Sequence, residues 1–204
     1  MAINRFSQST AQSAFPKFTS LWDGTTATSS FDSLGTVYVS SSGSVSIASF
    51  TNVPQTYTHL QLRFCAVEST ADSYFLATYN SDTAQANYPR HRLWGNGASV
   101  GSNSTVNVDA STRSAMLGSP LYSTTHPGVA IADILDYTNA SKNKTTMSFF
   151  GQDANGSGVV ELHSSVWLNT AAITRVDVRC NLAGGGSGSS TFNAGSTISL
   201  YGVK

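Results

Sequence analysis

The sequence predicts an all-β protein: an antiparallel two-sheet sandwich of jelly-roll type with an extended N-terminal arm. Three observations carry this. From Pro127 to Thr170 apolar and polar residues alternate almost without interruption, and successive side chains of a strand point to opposite faces. No segment sustains apolar residues at i, i+3 and i+4, and glutamate occurs only as Glu68 and Glu161. The alternating runs are separated by clusters of Asn, Asp, Gly and Ser, which close turns by local hydrogen bonding or by tolerating positive φ.

Residues 1–30, MAINRFSQSTAQSAFPKFTSLWDGTTATSS, show neither period two nor period 3.6. Isolated anchors (Ile3, Phe6, Phe15, Phe18, Leu21, Trp22) stand in a Ser/Thr/Gln/Ala background, and Pro16 restricts Phe15 to extended conformations. A plain disordered tail is poor in aromatics, because it has no core to enter. Two readings follow: a segment folded back on its own domain, or an arm that becomes ordered on another subunit by inserting anchors into separate pockets. The second assigns Phe6, Phe15, Pro16, Phe18, Leu21 and Trp22 to partner binding. It divides the chain into a docking arm, residues 1–30, and a β-sandwich domain, residues 31–204.

Strands are expected from Phe31 onward. Val37 and Val39 alternate, then Val45 and Ile47, with Ser40–Gly43 as the turn. Asn52–Gln55 is a loop, since Pro54 cannot donate to a central ladder. Tyr57–Val67 points Leu60, Leu62, Phe64 and Ala66 inward, with Gln61, Arg63 and Cys65 on the other face. Phe75, Ala77 and Tyr79 make the next strand, and Tyr88–Trp94 follows a polar loop. Residues 95–111 are poor in core material and read as an exposed excursion, before a short strand marked by Ala115, Leu117 and Leu121.

In the central stretch Val129, Ile131, Leu135 and Tyr137 share one parity, followed by Met147 and Phe149, then Val160, Leu162, Val166 and Leu168. Each set is expected to line a buried face, with turns at Thr138–Asn143 and Asp153–Gly158. Val176, Val178, Cys180 and Leu182 make a further strand. Gly184–Gly188 is a flexible loop, not a phosphate cradle, because no P-loop Lys-Ser/Thr follows it. The last strand sets Ile198, Leu200 and Gly202 against Thr197, Ser199, Tyr201 and Val203. About ten strands without an internal repeat favour a jelly-roll sandwich over a propeller or solenoid. The Cys…Trp…Cys spacing of an immunoglobulin sandwich is missing.

Composition narrows the function classes. Only 11 % of the residues are charged, against about 25 % in ordinary soluble proteins. The formal net charge is zero and the Lys and Arg are scattered, so the basic stripe of a nucleic-acid binder is not expected. No run approaches the ~18 apolar residues of a membrane span, and MAINRF lacks the apolar region of a secretion signal. Cys65 and Cys180 permit one disulfide, with buried free thiols the plainer expectation. No Lys or Arg occurs between Lys17 and Arg63, although several strands are expected there. Strand edges left without such charges suit a protein whose edges and faces are covered by other subunits, so a homo-oligomer is expected.

Candidate chemistry is sparse. Glu161 and His163, with Ser164, Ser165 and either Asp133 or Asp136, supply the residue types of a Ser/His/Asp trio. A nucleophile also needs a strained turn and an oxyanion hole, and no G-x-S-x-G occurs. His59, His91, His126 and His163 are dispersed without metal-ligand spacing. Asp153-Ala154-Asn155-Gly156 opens like a calcium loop, but Ser164 stands where the bidentate acid belongs. Tyr88, His91, Arg92 and Trp94 are a candidate sugar-stacking set or a core rim. No catalytic, cofactor-binding or metal residue is assigned, no cofactor is expected, and the chain is not expected to be an enzyme.

The opening AINRFSQSTAQSAFPKFTSLWDGTT, the central DILDY with the strands after it, and the closing ISLYGVK resemble a virion structural protein of tailed bacteriophages. The resemblance implies an extended N-terminal arm lying on the particle and a displayed β-sandwich, commonly trimeric. It implies location in the virion, as a head decoration (cement or head fibre) protein with the major capsid protein as partner. The alternative it leaves open is a tail or tail-fibre component whose β-sandwich binds a receptor or glycan. A polysaccharide-degrading tailspike would need paired carboxylates and usually a β-helix, which this sequence does not offer.

Overall fold

The computed structural model describes residues 30–40, 43–70, 73–105, 115–118, 123–182 and 190–204. These hold twelve strands: β1 (Phe31–Tyr38), β2 (Ile47–Thr51), β3 (His59–Ala66), β4 (Ser73–Tyr79), β5 (Arg90–Gly95), β6 (Val100–Thr105), β7 (Ala115–Gly118), β8 (Gly128–Leu135), β9 (Lys144–Asp153), β10 (Gly158–Trp167), β11 (Arg175–Leu182) and β12 (Thr197–Val203). The arm residues Phe6, Phe15, Pro16, Phe18, Leu21 and Trp22 lie outside the described residues, as do Leu121 and Gly184–Gly188.

Two antiparallel sheets result. The larger has eight strands in the order β1-β12-β3-β8-β9-β10-β5-β6, the smaller four in the order β2-β11-β4-β7. The pairing is nested: β1 lies against β12, β2 against β11, β3 against β8 and β4 against β7. Two inserted pairs, β5–β6 and β9–β10, extend the large sheet beyond β8. Residues 95–105 are largely exposed, as expected of an excursion, but Val100–Thr105 also form the edge strand β6; residues 106–111 lie outside the described residues. Little of β6 is buried, yet its backbone pairs fully along β5, because an edge strand needs ladder partners more than it needs core side chains.

Between the sheets the clean alternations hold. Leu60, Leu62, Phe64 and Ala66 of β3, Ile198 and Leu200 of β12, Phe75, Ala77 and Tyr79 of β4, and Val176 and Val178 of β11 are all buried. The Phe75 ring is the hub, 4.4 Å from Phe64, 5.8 Å from Phe150 and 6.1 Å from Phe192. Gly202 lets the Tyr57 ring onto the inner face of β12, where a Cβ would sit 2.5 Å from it. In β2 the expectation for Ile47 fails: it is 47 % exposed, and Ala48 and Phe50 point inward instead.

The larger correction concerns the central stretch. Val129, Ile131, Met147, Phe149, Val160, Leu162 and Leu168 are not core residues but 41 to 59 % exposed. Leu135 and Val166 are half-buried, and Tyr137 alone of that set is fully buried. The opposite parity faces the small sheet: Ala130, Ala132 and Ile134, then Thr146, Ser148, Phe150 and Gln152, then Val159, Glu161, His163, Ser165 and Trp167. Alternation shows that two faces differ, and it does not say which side the second sheet covers.

The polar residues tolerate burial because they find partners. Tyr79 Oη and Thr146 Oγ1 are 2.5 Å apart, Ser148 Oγ donates to the Leu117 carbonyl at 2.6 Å, and Gln152 Nε2 donates to the His126 carbonyl at 2.7 Å. Lys144, fully buried at the start of β9, donates from Nζ to the carbonyls of Asn139, Lys142 and Thr170.

Candidate functional site

The trio suggested by Glu161, His163, the serines and an aspartate does not assemble. Glu161 and His163 lie side by side on the inner face of β10, with no accessible side-chain surface. Glu161 pairs through Oε1 with Arg92 of the neighbouring β5, while its Oε2 is 2.7 Å from His163 Nε2. Burial holds the imidazole below its usual range, against the pull of Glu161 and with Arg92 and Arg90 acting in the same direction as burial. Ser165 shares this buried face, but Ser164 points to the other side. Asp133 is on the outer face accepting from Gln61 Nε2 at 2.8 Å, and Asp136 is held in the β8–β9 turn by Lys142. The cluster ties β5 to β10, and an acid and base without solvent access meet no substrate.

The remaining candidates disperse as well. Among the described residues no three His, Cys, Asp or Glu side chains gather as metal ligands would. Asn155 and Gly156 take φ of 57° and 98°, and Ala154 N donates to Ser157 O at 2.7 Å. This is the two-residue turn that Asn-Gly favours between antiparallel strands. Asp153 Oδ1 accepts from Asn155 N at 3.0 Å, so the carboxylate serves its own turn. Tyr88 is fully buried, Trp94 is half-buried beneath Arg92, and His91 is exposed on the opposite face, so these residues make no common platform. Both cysteines are free. Cys180 is buried and its thiol pushed up by that burial, whereas Cys65 is exposed, which corrects the expectation of two buried thiols.

What the structure does gather is an apolar surface. The strand registers lay the outward side chains of the large sheet in rows. One row runs Arg63, Ile131, Phe149, Leu162, Leu93, Ser102, and the next runs Cys65, Val129, Gly151, Val160, Gly95, Val100. Met147 adds to the first from the row beyond. Val129, Ile131, Met147, Phe149, Val160, Leu162, Leu93 and Val100 are between 41 and 88 % exposed. Beyond Arg63 neither row carries a charge.

Where Gly151 and Gly95 lack side chains the face dips into hollows of 460 and 640 Å³, with Phe149 and Val160 bordering both. Sequence reasoning named most of these residues, but as core. The signal for this face is the alternation itself, which does not say which side the second sheet covers.

No family model, no curated protein and no solved structure matches the chain.

Proposed function

We propose that the chain is a non-enzymatic virion structural protein of the tailed-bacteriophage kind, a capsid decoration or cement protein carried on the particle by its N-terminal arm. The observation that carries this reading is the outer face of the large sheet. Two rows of exposed apolar residues form a surface larger than the few hundred Å² that monomeric proteins leave bare, while the titratable cluster at Glu161 and His163 is closed to solvent. Surface of that kind serves assembly, not turnover.

The nested pairing of β1 with β12, β2 with β11, β3 with β8 and β4 with β7 supports the finer fold reading. Eight strands rolled up as one long hairpin of strand pairs, facing each other in two sets of four, is jelly-roll winding. The arm at residues 1–30, the trimer and the partnership with the major capsid protein follow from the sequence and its resemblance.

The test offers purified protein to DNA-filled heads lacking tails and, separately, to host cells. Saturable binding to heads, no adsorption to cells and no cleavage of surface glycan are expected. Adsorption to cells without head binding favours the tail or tail-fibre reading, and glycan depolymerisation would remove the non-enzymatic one.

A further inference from the structure

We infer that the apolar outer face formed by β3, β8, β9, β10, β5 and β6 is closed in solution by a second copy of this chain, sheet against sheet. This rests on the assembly reading above and adds to it the surface and its occupant.

The area of the face matches what a second copy would cover. The eight apolar side chains, each 41 to 88 % exposed, together present on the order of 800 Å², which is what each partner contributes to a stable interface of standard size. Backbone chemistry favours a sheet as the occupant. An extended peptide laid over this face would bury its own N–H and C=O groups against side chains that offer them nothing, because the sheet's backbone groups are directed in-plane to neighbouring strands. A second sheet arrives with its backbone already paired, so two apolar faces can close at about 10 Å without orphaning a donor.

Relief and charge also fit a second copy. Phe149, 59 % exposed, stands beside hollows over Gly151 and Gly95, so one surface carries both projections and receptacles, as contact between identical chains requires. The two rows hold no charge past Arg63, and Asp133 in the row of Met147 is engaged by Gln61, so like charges do not oppose one another across the two rows when two copies come together. Arg63 itself bounds the patch on the β1 side, its guanidinium lying over the rings of Phe31 and Tyr201 at 4.9 and 5.3 Å.

The chain carries its own reporter. Cys65 opens the second row beside Val129 and is exposed in the single chain, whereas Cys180, the other cysteine, is buried. The full-length protein at micromolar concentration is examined by sedimentation and by titration with a thiol-reactive disulfide, alongside Phe149→Asp and, as a second variant, Leu93→Asp. Both substituted side chains are more than half exposed, so the fold of one chain tolerates the change, which thermal melts verify.

For the natural chain we expect a mass that is an even multiple of 21.4 kDa with no fast-reacting thiol, and for both variants half that mass with one fast thiol per chain. A natural chain that is monomeric overturns the inference: a reactive Cys65 then means the face is bare, and a masked one means the chain covers it with its own residues. An oligomer whose Cys65 reacts freely, or whose mass survives both substitutions, assembles through another surface. That result overturns this inference and leaves the assembly reading standing.

Discussion

Lowering the pH through the imidazole range is expected to destabilise this protein through His163. The side chain is fully buried on the inner face of β10, with Nε2 2.7 Å from Glu161 Oε2 and the guanidinium groups of Arg92 and Arg90 acting on it from β5. Burial is the larger effect and holds the folded-state value below the ordinary 6.5. Between 6.5 and that depressed value the unfolded chain binds a proton that the folded chain refuses, so stability falls as pH falls across that window. One proton gives a slope of about 1.4 kcal/mol per pH unit, ending where the folded imidazole itself takes up the proton.

The perturbation that isolates this effect is His163→Gln, which keeps a donor toward Glu161 and removes the titration. Urea unfolding at one fixed protein concentration, for both chains and at several pH values on either side of 6.5, measures the difference. Every other residue is common to both chains, so its contribution cancels in the difference. Wild type is expected to lose up to about 1.4 kcal/mol per pH unit more than the variant. Parallel curves would show that His163 is not proton-linked to folding. A wild type that gains stability relative to the variant as the pH falls would show that pairing with Glu161 outweighs burial, and would reverse the reasoning.

Three further outcomes are expected. Gly202→Ala places a Cβ 2.5 Å from the Tyr57 ring, and the displaced ring loses the hydrogen bond that its Oη donates to Asp32 Oδ2 at 3.0 Å; thermal unfolding should report a loss of about 1–3 kcal/mol. Trp167→Phe removes the indole donor that reaches Asp82 Oδ2 at 2.7 Å and should cost about 2–4 kcal/mol in urea unfolding, from a lost bond to a charged acceptor plus lost packing. Burial alone would raise the pKa of Asp82, and hydrogen bonds from Trp167, Ala84 and Asn87 more than offset it to leave the carboxyl below its usual range. The Trp167→Phe variant should therefore also lose part of the acid tolerance that a depressed carboxyl confers. Deleting residues 1–30 should leave the melting temperature and the oligomeric state nearly unchanged while abolishing binding to particles, since anchors worth roughly 1.5–3 kcal/mol each would be spent on the partner; early melting or aggregation would instead assign the arm to the chain's own core.

Much of the fold is legible in the sequence because local signals and tertiary placement agree there. β3 and β12 alternate large apolar residues with polar ones and sit where that alternation has one meaning, apolar toward Phe75 and Tyr79. Asn155-Gly156 marks its turn because few residue pairs accept positive φ at both positions. The central strands defeat the same logic. Their inward set, Thr146, Ser148, Gln152, Glu161, His163 and Ser165, resembles a solvent face, and only tertiary hydrogen bonds to Tyr79, Leu117, His126 and Arg92 make it a buried one. Those bonds cross from β9 and β10 to residues distant in the chain, so no local pattern announces them. The apolar face went unseen as a surface for the same reason: Phe149 and Leu162 look like core until the side occupied by the second sheet is known.

The most direct measurement is the copy number of this chain in purified particles, determined by quantitative mass spectrometry against the major capsid protein. A decoration protein is expected in many copies per particle, in a fixed ratio to the capsid protein and retained on DNA-filled heads that lack tails. A handful of copies, lost together with the tail, would contradict that role.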